Sequence, residues 1–326
     1  MGSAKTLILS ESPVQDMKAE IPLLLILIFA YPLYSGSSAA SSIQQDDLLL
    51  DEAGCQIIEF KGCSELMLPQ VKKSGVDNLS CLSLLPVFLS NQSINGTARL
   101  PANDNGSAYS SLCLSPLSVL RGYGNYSLCT GPGSTAHLAA NDSGFAEFSI
   151  PSAESGMYAV YLSDAEKGLE RAVRPLLVTE GGLHLHMPDQ IGADEQLISI
   201  EMNTTVPDNE SNLFAAVMML ESDYSNSSIT FSENNTTNCT DLTFTLSGSS
   251  AFIPCPFHPS AELLFSMLPL LPENSAVGLQ ESSQPGAVLT LVSDSPWKKG
   301  RYVIACCAYS RERGLLGAEQ KLIEVI

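Results

Sequence analysis

The amino-acid sequence predicts an all-β chain of two tandem antiparallel sandwiches, with a short helix in the second. Three observations carry that expectation: regularly punctuated apolar runs, an internal repeat, and a composition suited to two cores. At about 150 residues per domain, 326 residues suffice for two. With 44% apolar and 16% charged residues, the bulk is neither disordered nor coiled coil.

Short alternating or apolar runs lie at Cys55–Phe60, Gly144–Ile150, Tyr158–Leu162, Leu197–Met202, Leu213–Leu220, Leu242–Leu246, Ala287–Val292, Tyr302–Ala308 and Lys321–Val325. Gly, Pro, Asn and Ser separate them, which is the punctuation of an antiparallel sandwich. One stretch reads as a helix. Ser260 can cap it, Glu262 lies in its first turn, Leu263, Leu264, Met267 and Leu268 form a stripe, and Pro269 ends it.

The repeat is the more specific signal. Residues 156–178 and 300–325 both run Gly-x-Tyr, apolar strand, charged turn, Gly-Leu, Ala and a closing apolar strand. A chain that repeats its last strands is expected to repeat its domain. The expected units are residues 41–180 and 181–326, each an immunoglobulin-like sandwich. Tyr158 and Tyr302 would open the penultimate strands, bury their rings and bond their hydroxyls back to a loop. Gly156 and Gly300 would supply the turns before them. The halves carry net charges of −7 (8 basic, 15 acidic) and −11 (6 basic, 17 acidic), so an apolar seam near Thr179–Leu183 is expected rather than a charged one.

Residues 1–40 read as a signal peptide or N-terminal anchor. The uncharged run Ile21–Tyr34 spans roughly 21 Å as a helix, short of a bilayer core of about 30 Å. Small residues follow it, as at a signal-peptidase site. Residues 1–20 carry net −1, which fits export poorly, whereas a start at Met17-Lys18 gives an ordinary leader. Membrane contact is therefore expected only through this segment, if it stays uncleaved.

Twelve of the 15 Asn stand in N-x-[S/T]: Asn78, Asn91, Asn95, Asn105, Asn125, Asn141, Asn203, Asn209, Asn226, Asn234, Asn235 and Asn238. Ser and Thr content alone predicts roughly three such triplets. Turn composition accounts for part of the excess, and export of a glycoprotein accounts for the rest. Nine cysteines with no C-x-x-C spacing argue against zinc or redox motifs. Disulfides are the expectation outside the cell, with one of Cys306 and Cys307 paired to Cys239 or Cys255. Adjacent strand residues face opposite ways, so at most one of the two thiols should bond within one core.

The runs Trp297–Ile304 and Ser260–Pro269, with the closing strand, resemble the methanogen extracellular domain family. The resemblance is clearest over residues 181–326. It implies an archaeal, secreted or surface-displayed protein and no reaction.

A net charge of −19 and a pI near 4.4 exclude general nucleic-acid binding. P-loop, nucleophile-elbow and zincin motifs are absent, as is a complete dinucleotide fingerprint. Neither a catalytic residue, a cofactor nor a metal is expected. His184 and His186 share one strand face without a third histidine nearby. Asn103–Gly106 lacks the outer ligands of a calcium loop. Asp46, Asp47, Asp51 and Glu52 form a solvated acidic stretch. The expectation is a non-enzymatic structural or interaction protein of the cell envelope, with other envelope proteins or carbohydrate as partners. A carbohydrate-binding module would use Trp297, Lys298 and Lys299. A hydrolase would gather His258 or His137 with a carboxylate and a hydroxyl.

Overall fold

The structure, a computed structural model, describes residues 58–73, 84–100, 109–116, 135–139, 144–164, 170–206, 211–234, 239–246, 248–253, 271–293, 295–310 and 313–326. Strands dominate them. The leader, the 260–269 helix segment and seven of the sequon asparagines lie outside the described residues, as does Cys255.

The N-terminal half contributes β1 (Ile58–Lys61), β2 (Ser64–Met67), β3 (Gln70–Lys73), β4 (Leu84–Leu89), β5 (Ile94–Arg99), β6 (Tyr109–Pro116), β7 (Thr135–Ala139), β8 (Phe145–Ile150), β9 (Gly156–Asp164) and β10 (Glu170–Thr179). They form sheets ordered β1-β5-β8 and β2-β4-β10-β9-β6-β7, with β3 placed elsewhere. Alternation drives this arrangement. In β8 every second residue is buried, so Ala146, Phe148 and Ile150 enter the core while Phe145, Glu147 and Ser149 face out. Phe88, Leu112, Val160 and Leu176 close that core from the larger sheet.

The C-terminal half contributes β11 (Leu183–His186), β12 (Gln190–Ile191), β13 (Leu197–Thr204), β14 (Asn212–Leu220), the helix α1 (Glu221–Asn226), β15 (Ser228–Asn234), β16 (Cys239–Leu246), β17 (Ser249–Ile253), β18 (Ser275–Ser282), β19 (Gly286–Val292), β20 (Gly300–Ser310) and β21 (Gly314–Val325). The short helix described in this half is thus α1, directly after β14. The two sandwich sheets here run β11-β13-β19 and β12-β21-β20-β14-β18.

The halves share one plan. β1-β5-β8 corresponds to β11-β13-β19, and β4-β10-β9-β6-β7 corresponds to β12-β21-β20-β14-β18. Both are immunoglobulin-like sandwiches in strand order. Register agrees as well: Tyr158 lies opposite Leu176 and Tyr302 opposite Ile323, in separate sheets. The sandwiches are not wholly antiparallel, because β4 runs parallel to β10 and β12 parallel to β21.

Two departures from the plan matter most. Between β11 and β12 the C-terminal lobe needs only residues 187–189, whereas the N-terminal lobe spends residues 62–83 between β1 and β4. Between β14 and β18 the C-terminal lobe carries residues 221–274. These two insertions meet. β3 from the first adds parallel to β15 of the second, giving a third sheet ordered β17-β16-β15-β3.

The lobes also touch directly. Leu85, Val87 and Leu177, which point away from the N-terminal core, pack on Ala215, Cys307 and Leu315 of the C-terminal lobe. The seam is apolar, as the acidity of both halves required. It covers Ala215 on one face of β14, while Phe214, Ala216, Met218 and Leu220 enter the C-terminal core on the other; β14 is buried at all nine positions, and Leu213–Leu220 is a continuous apolar run. A strand covered on both faces cannot alternate. Gly317 closes the linker tightly, since a Cβ there would lie 2.9 Å from Leu183 N. Glu180 and Gly181 N–H groups donate to Leu315 and Leu316 carbonyls at 2.9 and 2.8 Å.

Candidate functional site

Each lobe pins the corner before its penultimate strand. Gly156 and Gly300 adopt φ of 154° and 144°, a region open to glycine and strained for other residues. Tyr302 is fully buried, and its hydroxyl donates to the Lys298 carbonyl at 3.0 Å. Burial pushes its phenol up to about 12. Tyr158 is partly buried, and burial and the nearby Glu154 raise its phenol.

A second repeated device was missed in the sequence. Arg174 donates to the Ile58 carbonyl at 2.6 Å, and Lys321 donates to the Met187 carbonyl at 3.1 Å. Each stands two residues before the residue opposite the corner tyrosine, so each ties the last strand to the first strand region of its lobe. Arg174 also lies 5.7 Å from the Phe60 ring centre. The aligned Arg174-Pro-Leu and Lys321-Leu-Ile runs are the signal that could have revealed it.

The disulfide expectation is overturned for Cys306 and Cys307. Both are free, and each is 1% exposed. They do face opposite ways: Cys306 enters the C-terminal core and Cys307 the interlobe seam. Burial first, then the Glu319 carboxylate opposite Cys306 and the neighbouring Cys306 beside Cys307, push both thiols up, which keeps them protonated. Cys239 opens β16 in the third sheet.

Trp297 is not a binding platform. It is 3% exposed, its indole N–H donates to the Glu195 carbonyl at 2.7 Å, and its ring meets Tyr302 edge-on at 5.7 Å. It is part of the corner. His184 and His186 are exposed on β11, with His186 opposite Glu201 in register. No group among the described residues could hold a metal ion. His137 lies in β7, and His258 lies outside the described residues. Of the sequons, Asn91, Asn203 and Asn226 are exposed and Asn95 is partly so. Asn234 ends β15.

The arrangement particular to this chain is at the lobe contact. Met67, the last residue of β2, is held by two elements of the other lobe. Its N–H donates to Gln320 Oε1 at 2.7 Å, and its carbonyl accepts from Gln320 Nε2 at 3.0 Å. One side-chain amide thus copies a strand pairing. The Tyr224 hydroxyl, on α1, donates to the same carbonyl and accepts from Gln320 Nε2 at 3.2 Å. Tyr224 is buried, which raises its phenol. Three residues later Gln70 N–H donates to the Ser227 carbonyl at 2.9 Å and begins the third sheet. The Ser155 hydroxyl of the N-terminal lobe also donates to the Arg313 carbonyl of the other lobe.

No protein-family model matches the chain, and no curated protein does. Among solved structures it is similar to the D0-D1 domain of intimin, at 14% identity and a TM-score of 0.22, over 74% of this chain and 93% of that one. It is similar to CBD12 from CALX1.2 at 7% identity and a TM-score of 0.23, over 79% and 82%. A superoxide reductase (neelaredoxin) from Ignicoccus hospitalis matches at 13% identity and a TM-score of 0.21, over 44% and 80%. Likeness of this grade carries no argument about activity or partners.

Proposed function

We propose that the protein is a non-enzymatic extracellular or cell-surface protein with a structural or interaction role in an envelope. One observation carries the reading. Two sandwiches of one plan are bound into a single unit by insertions that meet, so the chain-specific residues serve assembly of the lobes rather than a reactive cleft. The sequon excess and the exposure of Asn91, Asn203 and Asn226 support an outward-facing, sugar-bearing chain. The likeness of Trp297–Ile304 to methanogen extracellular domains supports an archaeal surface setting.

The test is fractionation of the producing cell, with the mass of the native protein before and after glycan removal. The expected result is recovery with the envelope or medium and a mass that falls on deglycosylation. Recovery from the cytosol with an unshifted mass would overturn the reading. The carbohydrate-binding alternative loses its candidate residue, because Trp297 is enclosed.

A further inference from the structure

β3 is the one described strand that leaves its lobe. Its pairing with β15 covers Gln70–Lys73 against Ser228–Phe231, whereas β15 pairs with β16 over seven residues, Ser228–Asn234. The β3 pairing is also parallel, the less stable arrangement per residue. Pro69 precedes it and has no N–H to offer the ladder. The strand is held at its root by Gln320 and Tyr224 on Met67. Without β3, the N–H and C=O groups of β15 along Ser228–Phe231 would form an open sheet edge, which recruits another strand.

We propose that β3 is an exchangeable strap, and that the β15 edge accepts in trans the β3 of a second copy of this chain. The occupant follows from the pairing itself. The edge is already matched in direction and register to Gln70–Lys73, and a second copy supplies that segment on the same root. Exchange then preserves every native contact at the β3 position and is governed by protein concentration. The inference is independent of where the protein resides.

The register places Val71 opposite Ile229, which supplies the test. Two chains, one carrying Val71→Cys and the other Ile229→Cys, are mixed at rising concentration under mild oxidation. The expected result is a disulfide-linked heterodimer, mapped to these two positions, several-fold above the background of either variant alone. Adding Gln320→Ala to both chains loosens the root and raises the yield. A chain carrying both cysteines is the control and closes within itself. If that control closes while the mixture gives no heterodimer, with or without Gln320→Ala, the exchange is overturned. A control that stays open removes the β3–β15 register and overturns it equally.

Discussion

In the C-terminal lobe the Tyr302 ring is enclosed, its hydroxyl bonds the Lys298 carbonyl, and Trp297 packs against it edge-on. In the N-terminal lobe Tyr158 opens the equivalent strand, yet it is only partly buried, and Ala153 stands where Trp297 would be. The strand order and register are the same in both. The difference teaches that Gly-x-Tyr sets the turn and the strand start, while the residue three positions before the glycine decides how far the corner is filled.

The largest effect expected from this comparison is that of Trp297→Ala. Removing a buried indole with a satisfied N–H should cost about 3–5 kcal/mol, read as a lower urea midpoint. Replacing Tyr158 by Ala should cost visibly less, because part of that ring is already in water. Equal losses would break the distinction between the corners. Next comes Gln320→Ala, which strips Met67 N–H of its partner and should cost about 1–2 kcal/mol.

Tyr302→Phe removes one hydrogen bond and should cost about 1 kcal/mol near neutral pH. It also sharpens the comparison through pH. An unfolded tyrosine ionises near about 10, while Tyr302 holds its proton to about 12. The native chain binds that proton more tightly, so its contribution is complete below pH about 10 and is lost as pH rises from there to about 12. Thermal melts across this window should show a steeper alkaline decline in the native chain than in Tyr302→Phe.

The smallest effect concerns the thiols. Cys306 and Cys307 should resist an alkylating reagent in the native state, and both should react after denaturation without a reductant. Peptide mapping reads the result. A requirement for reductant would restore the disulfide expectation at that position.

The sequence made the repeated hairpins legible because Gly-x-Tyr and the flanking apolar strands recur with their spacing intact. All nine strand runs named from it fall on strands; of the Cys55–Phe60 run, Ile58–Phe60 lies among the described residues and belongs to β1. The third sheet was not legible. Gln70-Val-Lys-Lys is a short polar segment whose strand character comes from its partner β15, not from its own alternation. Gln320 looks like an ordinary polar residue on a strand, and only the placement of Met67 reveals its work. Cys307 misled because its buried setting depends on the seam, which neither half encodes alone, whereas Cys306 fills the core of its own lobe.

The two lobes and their meeting insertions form one unit. Trp297 is the single tryptophan and reports on the C-terminal lobe alone, while circular dichroism reports on all strands. Urea unfolding followed by both probes tests the claim directly. One coincident transition is predicted, separating into two steps when Gln320→Ala weakens the contact. Two resolved transitions in the unaltered chain, with the tryptophan signal completed while half the strand signal remains, would contradict it.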